Sequence, residues 1–206
     1  MKTIAHLIAA CTLSFCATQA AHATLITSDP GTGTTTVFTS TGLANGVSGP
    51  VAINGITWSG SPSISYGNVS YGLGGNGTWN WSWVATNNGN GSITAALGGG
   101  FGLVGGFMNY APGGGSDATI SALAADGVTV LESYDLAALA PIGNSGTNAG
   151  AFRGITRAQD DIYFFRLSGS YVLVHSLEVG DVPEPGSLAL LGLGLAGLIA
   201  TRRLKK

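Results

Sequence analysis

The chain has 206 residues, 34 of them glycine, with only 9% charged and a formal net charge of −2 at pH 7. Between Thr24 and Asp181 nine acids face three arginines and no lysine, which lacks the basic footprint that nucleic-acid binding requires. Glycine is far above its usual share of about 7%, yet four Trp, six Tyr and seven Phe supply apolar surface that a disordered chain does not have.

Lys2 followed by the mostly apolar stretch Ile4–Ala17 and by Ala21-His22-Ala23 has the layout of a secretory signal, so residues 1–23 are expected to be a signal peptide handled by the Sec machinery and signal peptidase. Ile8-Ala9-Ala10-Cys11 looks like a lipobox, but only ten residues precede the cysteine, too few for a normal leader. Cys11 and Cys16 both fall in this segment. The mature chain therefore has no thiol nucleophile, no Cys-ligated zinc and no disulfide.

Residues 24–181 read as one ectodomain made of short apolar or alternating stretches bounded by Gly, Asn or Asp. Thr32, Thr34 and Thr36 alternate within 29–41, an echo of threonine ladders on ice-binding surfaces. With no repeat to extend it, the segment reads as an edge strand or linker. Val51–Trp58 predicts a hairpin whose Asn54-Gly55 supplies the positive φ angles of a type I′ turn. Further strands are expected over 78–85, 102–110, 118–124, 127–136, 161–167 and 171–179, with Asp126-Gly127 as a second hairpin turn and one helical turn at Leu136–Leu139. Around eight strands without a crossover helix point to an all-β, antiparallel sandwich or jelly roll.

Within 78–85, Trp79, Trp81 and Trp83 alternate with Asn80 and Ser82. One unbroken strand would put the three indoles on one face. Two readings stand: a platform on which sugar rings stack, or the inward face of the sandwich, where each ring buries about 150–250 Å². Burial is the default, because three exposed indoles would make a sticky patch. Asp160-Asp161 is a weak calcium candidate, since the cation needs six to eight oxygen ligands and no D-x-D-x-D-G loop surrounds the pair. No other cofactor is implied. His175, the one histidine left after export, reads as packed within its strand. Without lysine, cysteine or a second histidine, the usual general bases and nucleophile partners are missing. Glu132, Asp135 and Glu178 are the carboxylates open to glycoside hydrolysis, but no spacing singles them out, so a non-catalytic role is expected. The Asn-x-Ser/Thr sequons at Asn68, Asn76, Asn80 and Asn90 read as loop composition.

The chain closes with VPEPGSLALLGLGLAGLIATRRLKK, residues 182–206. The apolar run 188–200 would form a helix roughly 20–23 Å long, against a hydrocarbon core of about 30 Å, and its glycines weaken it further. Arg202, Arg203, Lys205 and Lys206 would be held on the cytoplasmic side. Pro183 and Pro185 favour an extended backbone just outside the membrane.

The order Pro183-Glu184-Pro185, Gly186-Ser187, short apolar helix, Arg202-Arg203 resembles the PEP-CTERM sorting signal, also labelled an ice-binding-protein C-terminal domain. The resemblance implies a substrate of an exosortase in a polysaccharide-producing Gram-negative bacterium, parked transiently in the inner membrane and then released to the cell surface or matrix. The stretches 104–110, 122–131, 151–155 and 161–167 are similar to jelly-roll ectodomains found ahead of such tails, which look like carbohydrate-binding modules. The function expected from this resemblance is a binding or scaffolding protein associated with exopolysaccharide in a biofilm. A carbohydrate-binding module proper and a purely structural, membrane-anchored protein are the alternatives. Ice binding and glycoside hydrolysis fit less well.

Overall fold

The computed structural model describes residues 23–39, 42–143, 145–147 and 150–181. All of these lie within one compact unit, His22–Val182. The signal segment, the apolar run 188–200 and the sorting residues Pro183 to Ser187, Arg202 and Arg203 lie outside the described residues.

The chain is all-β and antiparallel. In order, the first strands are β1 (Thr24–Ile26), β2 (Thr34–Val37), β3 (Ala44–Val47), β4 (Val51–Ile53), β5 (Ile56–Ser61) and β6 (Ile64–Gly67). Then come β7 (Tyr71–Gly72), β8 (Thr78–Trp79), β9 (Trp83–Ala85), β10 (Gly91–Phe101), β11 (Leu103–Asn109) and β12 (Thr119–Leu123). The last elements are β13 (Val130–Asp135), the helical turn α1 (Leu136–Leu139), β14 (Ala151–Thr156), β15 (Ile162–Gly169), β16 (Leu173–Val174) and β17 (Ser176–Gly180).

Six strands form one sheet in the order β13-β12-β15-β10-β5-β4. Nine form the other, whose main path runs β1-β14-β11-β16-β9-β6-β3, with β17 also on β11 and β2 on β17. The Asn54-Gly55 turn joins β4 to β5 as expected, with φ of 49° and 83° and Ile53 opposite Ile56. At Asp126-Gly127 the hairpin is present, but the loop is wider than a two-residue turn. It closes through the Ala124 amide to the Thr129 carbonyl at 2.9 Å, so β13 starts at Val130 rather than Gly127. Asp135 caps α1 by accepting from the Ala138 amide at 3.1 Å, the usual way to satisfy a first-turn donor.

The two sheets share one core, which draws on Trp58, Ile93, Ala95, Ile120, Ala122, Phe165 and Leu167 from the smaller sheet and on Val84, Val104, Met108, Ile155, Val174 and Leu177 from the larger. Register explains how it packs. Trp58 lies opposite Ala95, Ala95 opposite Phe165, and Phe165 opposite Ala122, so large and small side chains alternate across four strands and fill the layer. Phe38, just after β2, meets Trp58 edge-on at 5.3 Å between ring centres, joining the two layers. Each such apolar side chain contributes about 1.5–3 kcal/mol by burial.

A second, smaller core lies on the opposite face of the nine-stranded sheet. Val84 and Val174 point into the main core, so Trp83, Ala85 and Leu173 must point the other way. The two-stranded hairpin β7-β8 covers them with Tyr71, Leu73 and Trp79. The single strand expected over 78–85 is thus broken: residues 80–82 are not in a strand, leaving Trp79 in the hairpin and Trp83 in the sheet. Thr34 and Thr36 lie in β2, which pairs with β17 alone.

Candidate functional site

An open cleft of about 340 Å³ lies where this hairpin meets the nine-stranded sheet, near the lower end of the size range of small-ligand pockets. Its floor is Trp83, 2% exposed, whose indole N–H donates to the Val69 carbonyl at 2.8 Å. Tyr71 meets Trp83 edge-on at 4.8 Å and donates its hydroxyl to the Thr86 carbonyl at 2.9 Å. Burial, with a smaller contribution from Tyr171, pushes the Tyr71 phenol above the usual tyrosine range, so it stays a neutral donor.

The walls combine apolar and amide groups. Exposed Leu43 and Val69 form one rim, with Asn45 and Asn87 close by. A Cβ on Gly67 would come within 2.9 Å of Leu43 Cδ1 and 3.2 Å of Trp83 Cζ2, so glycine there lets leucine lie against the indole. Tyr171 closes the opposite wall with a φ of 48°, a left-handed backbone that costs a non-glycine residue about 1–2 kcal/mol. Its amide is held by the Asn88 carbonyl at 2.9 Å. Strain of this kind collects at binding sites when the surroundings enforce it.

Among the described residues no charged side chain lines the cleft. It suits a neutral ligand that offers C–H faces to aromatic rings and hydroxyls to amides. An anion or a metal ion would find no countercharge there.

The three tryptophans do not form an exposed row. Trp79 is 0% and Trp83 2% exposed, while Trp81 is 43% exposed and stands edge-on to Trp79 at 5.8 Å. A fully buried ring has no face open to a sugar, which corrects the three-ring platform: only Trp81 presents an open face, and Trp83 contributes as the cleft floor. His175 lies 5.9 Å from Trp79 between ring centres, with Nδ1 2.7 Å from the Ser82 carbonyl. Because a carbonyl only accepts, Nδ1 carries the proton.

Asp161 gives both carboxylate oxygens to Arg157, at 2.6 and 2.9 Å, and Arg157 also bonds Glu132 at 2.8 Å. That pairing takes Asp161 out of the Asp160-Asp161 calcium candidate. Among the described residues no three His, Cys, Asp or Glu side chains gather as a metal group. The carboxylates open to hydrolysis are engaged separately: Glu132 with Arg157, Asp135 as the helix cap, and Glu178 with the Gly33 amide. Tyr71, Tyr171, Asn45 and Asn87 were not singled out by sequence. Each is an ordinary strand or loop residue until the hairpin folds over the sheet.

The family model of the PEP-CTERM protein-sorting motif matches residues 181–204. The chain therefore carries that motif and is an exosortase-targeted extracellular protein. The match covers residues 181–204 and says nothing of the sheets before it. No curated protein and no solved structure matches the chain. Among the described residues no helix is long and apolar enough to cross a membrane.

Proposed function

We propose that this protein is a non-catalytic module of the extracellular polysaccharide layer that holds a neutral glycan in the cleft between Tyr71, Trp83 and Tyr171. The observation that carries this reading is an uncharged, aromatic-floored cleft on a chain addressed for export. Signal peptidase and the Sec machinery handle residues 1–23. The run 188–200 seats the chain in the inner membrane of a Gram-negative bacterium. Exosortase then releases the ectodomain to the cell surface or biofilm matrix.

The test is retention of the secreted protein on exopolysaccharide extracted from its host, beside Tyr171→Gly and Trp81→Ala. Retention that falls about five- to tenfold in Tyr171→Gly, the worth of one aromatic contact, supports the cleft. Loss confined to Trp81→Ala moves the glycan to that exposed indole. No retention of folded wild type removes the glycan-binding role and favours a purely structural protein.

A further inference from the structure

The chain leaves the ectodomain at the same end of the sheet by which it enters. Thr24, the first residue of β1, lies opposite Thr156 on β14, Thr156 opposite Leu103 on β11, and Leu103 opposite Gly180, the last residue of β17. Four strands start or stop in this row, which spans about 14 Å at the usual spacing of neighbouring strands.

β17 has no slack here. It is bonded on both sides, to β11 and to β2, its Leu177 lies in the core, and the Gly180 carbonyl accepts from the Gly102 amide at 3.1 Å. Peeling it back would open two ladders and the core together, close to the cost of global unfolding. The sorting motif nevertheless begins at residue 181. Only Asp181 and Val182 separate Gly180 from Pro183 in the sequence, and three peptide steps reach at most about 11 Å. An enzyme that grips Pro183-Glu184-Pro185 must therefore come up against the folded end of the ectodomain.

Two loops flank the exit, and both are fixed. In 29–33, the Gly33 amide donates to the Glu178 carboxyl at 2.8 Å and the Gly31 amide to Asp29 at 2.7 Å. A Cβ on Gly180 would lie 3.2 Å from the Gly33 Cα, so this loop runs beside the strand end. In 157–161, Arg157 bonds Asp161 at 2.6 and 2.9 Å and Glu132 at 2.8 Å. The Arg157 amide also donates to the Gly102 carbonyl at 2.7 Å. Loops ordered in advance meet a partner without a further entropy cost.

We propose that the exosortase docks on this exit end, touching 29–33 and 157–161 while it holds the motif, so that its substrate is the folded ectodomain together with the tail. The enzyme is the occupant because the motif it reads is joined to the strand end by two residues, a tie that a second copy of the chain does not have. The inference rests on the exosortase step of the proposed function and not on the glycan cleft, so its failure leaves the cleft reading untouched.

The experiment follows the full chain in its host by pulse-chase, reading conversion of the long form to the released form. A flexible Gly-Ser link of about six residues, inserted between Asp181 and Val182, keeps motif and ectodomain intact and separates them. Conversion should slow by at least about fivefold, because a flexible link lowers the effective concentration of a second contact. Thr32→Arg, exposed in the flanking loop, should also slow it. Asp117→Arg, exposed at the opposite end of the sheets, should convert as wild type does, and melting points of the released forms check that both variants fold. Conversion of the linker variant at the wild-type rate would mean that the motif alone is read, and faster conversion that the folded end hinders the enzyme. Either overturns the proposal, as does normal conversion of Thr32→Arg or equal slowing by Asp117→Arg. Binding of the released ectodomain to phosphatidylethanolamine–phosphatidylglycerol vesicles without enzyme overturns it too, by making lipid the occupant. A wild type that is never shortened removes the exosortase step itself, and the docking with it.

Discussion

Trp83 donates its indole N–H to the carbonyl of Val69 at 2.8 Å, which ties the floor of the cleft to its rim. The bond matters because Val69 follows β6 in a segment outside the strands, so it helps to fix that segment's path. Trp83→Phe keeps an aromatic floor and removes the donor. The expected cost is about 1–3 kcal/mol, combining one lost hydrogen bond with a partly filled void. Faster amide exchange at residues 68–72 should accompany the lower melting point. A stability loss without that local loosening would show that packing alone fixes the rim.

Tyr171 holds a φ of 48°, so replacing it tests conformation and contact separately. Tyr171→Ala loses the ring and keeps the strain, whereas Tyr171→Gly loses the ring and relieves it. Glycine should therefore be the more stable of the two by about 1 kcal/mol, the reverse of the order expected in an ordinary strand. Both should lose glycan retention equally. Denaturant midpoints of the two variants settle the sign.

Legibility in the sequence followed the range of the interaction. Asn54-Gly55 was readable because two adjacent residues determine a type I′ turn whatever lies around them. The 78–85 segment was half readable: alternation marked its tryptophans, but it could not show that the strand breaks at residues 80–82 and sends Trp79 into a separate hairpin. β10, the longest strand at 11 residues, was missed altogether. Its Gly91-Ser92-Ile93-Thr94-Ala95-Ala96 run looks like a loop, and Ala95 is small because Trp58 and Phe165 flank it. The cleft was not legible at all, since Tyr71 and Tyr171 meet only after the hairpin folds onto the sheet. The acidic residues show the same limit. Asp160-Asp161 are adjacent in the chain, but Arg157 bonds both oxygens of Asp161, which adjacency alone does not show.

Arg153 is a cation solvated by backbone. It is 8% exposed and donates to the carbonyls of Ala140 at 2.8 Å, Phe152 at 2.7 Å and Pro141 at 3.0 Å, with Thr27 at 3.4 Å. Desolvation lowers its pKa from the ordinary arginine value, and among the described residues no carboxylate pairs with it. A guanidinium spans these acceptors because its donors lie in a fixed planar fork, which a lysine cannot copy. Arg153→Lys should therefore cost about 2–4 kcal/mol, on the order of one or two charge-assisted bonds. The effect should appear as a lower melting point and as loosened exchange after α1. A near-neutral result would mean that water replaces the fork readily.

Asp126 gives the fold an acid-sensitive turn. Its Oδ1 accepts from the amides of Val128 and Thr129 at 2.9 and 2.8 Å, and its Oδ2 from the Thr129 hydroxyl at 2.6 Å. These bonds, the Thr129 hydroxyl first, favour the ionised form and lower its pKa from the usual 3.8. A lowered folded pKa means that the unfolded chain takes up its proton first as the pH drops. The contribution is complete above 3.8 and is lost as pH falls through the lower folded value. Asp126→Asn keeps one oxygen acceptor and has no proton to gain. Urea midpoints of both proteins from about pH 6 to about pH 2 should draw together on the acid side, since acid removes from wild type what the substitution has already removed. The remaining residues are common to both proteins, so their contributions cancel in the difference. Midpoint curves that stay parallel throughout would place the acid sensitivity of the fold elsewhere than in this turn.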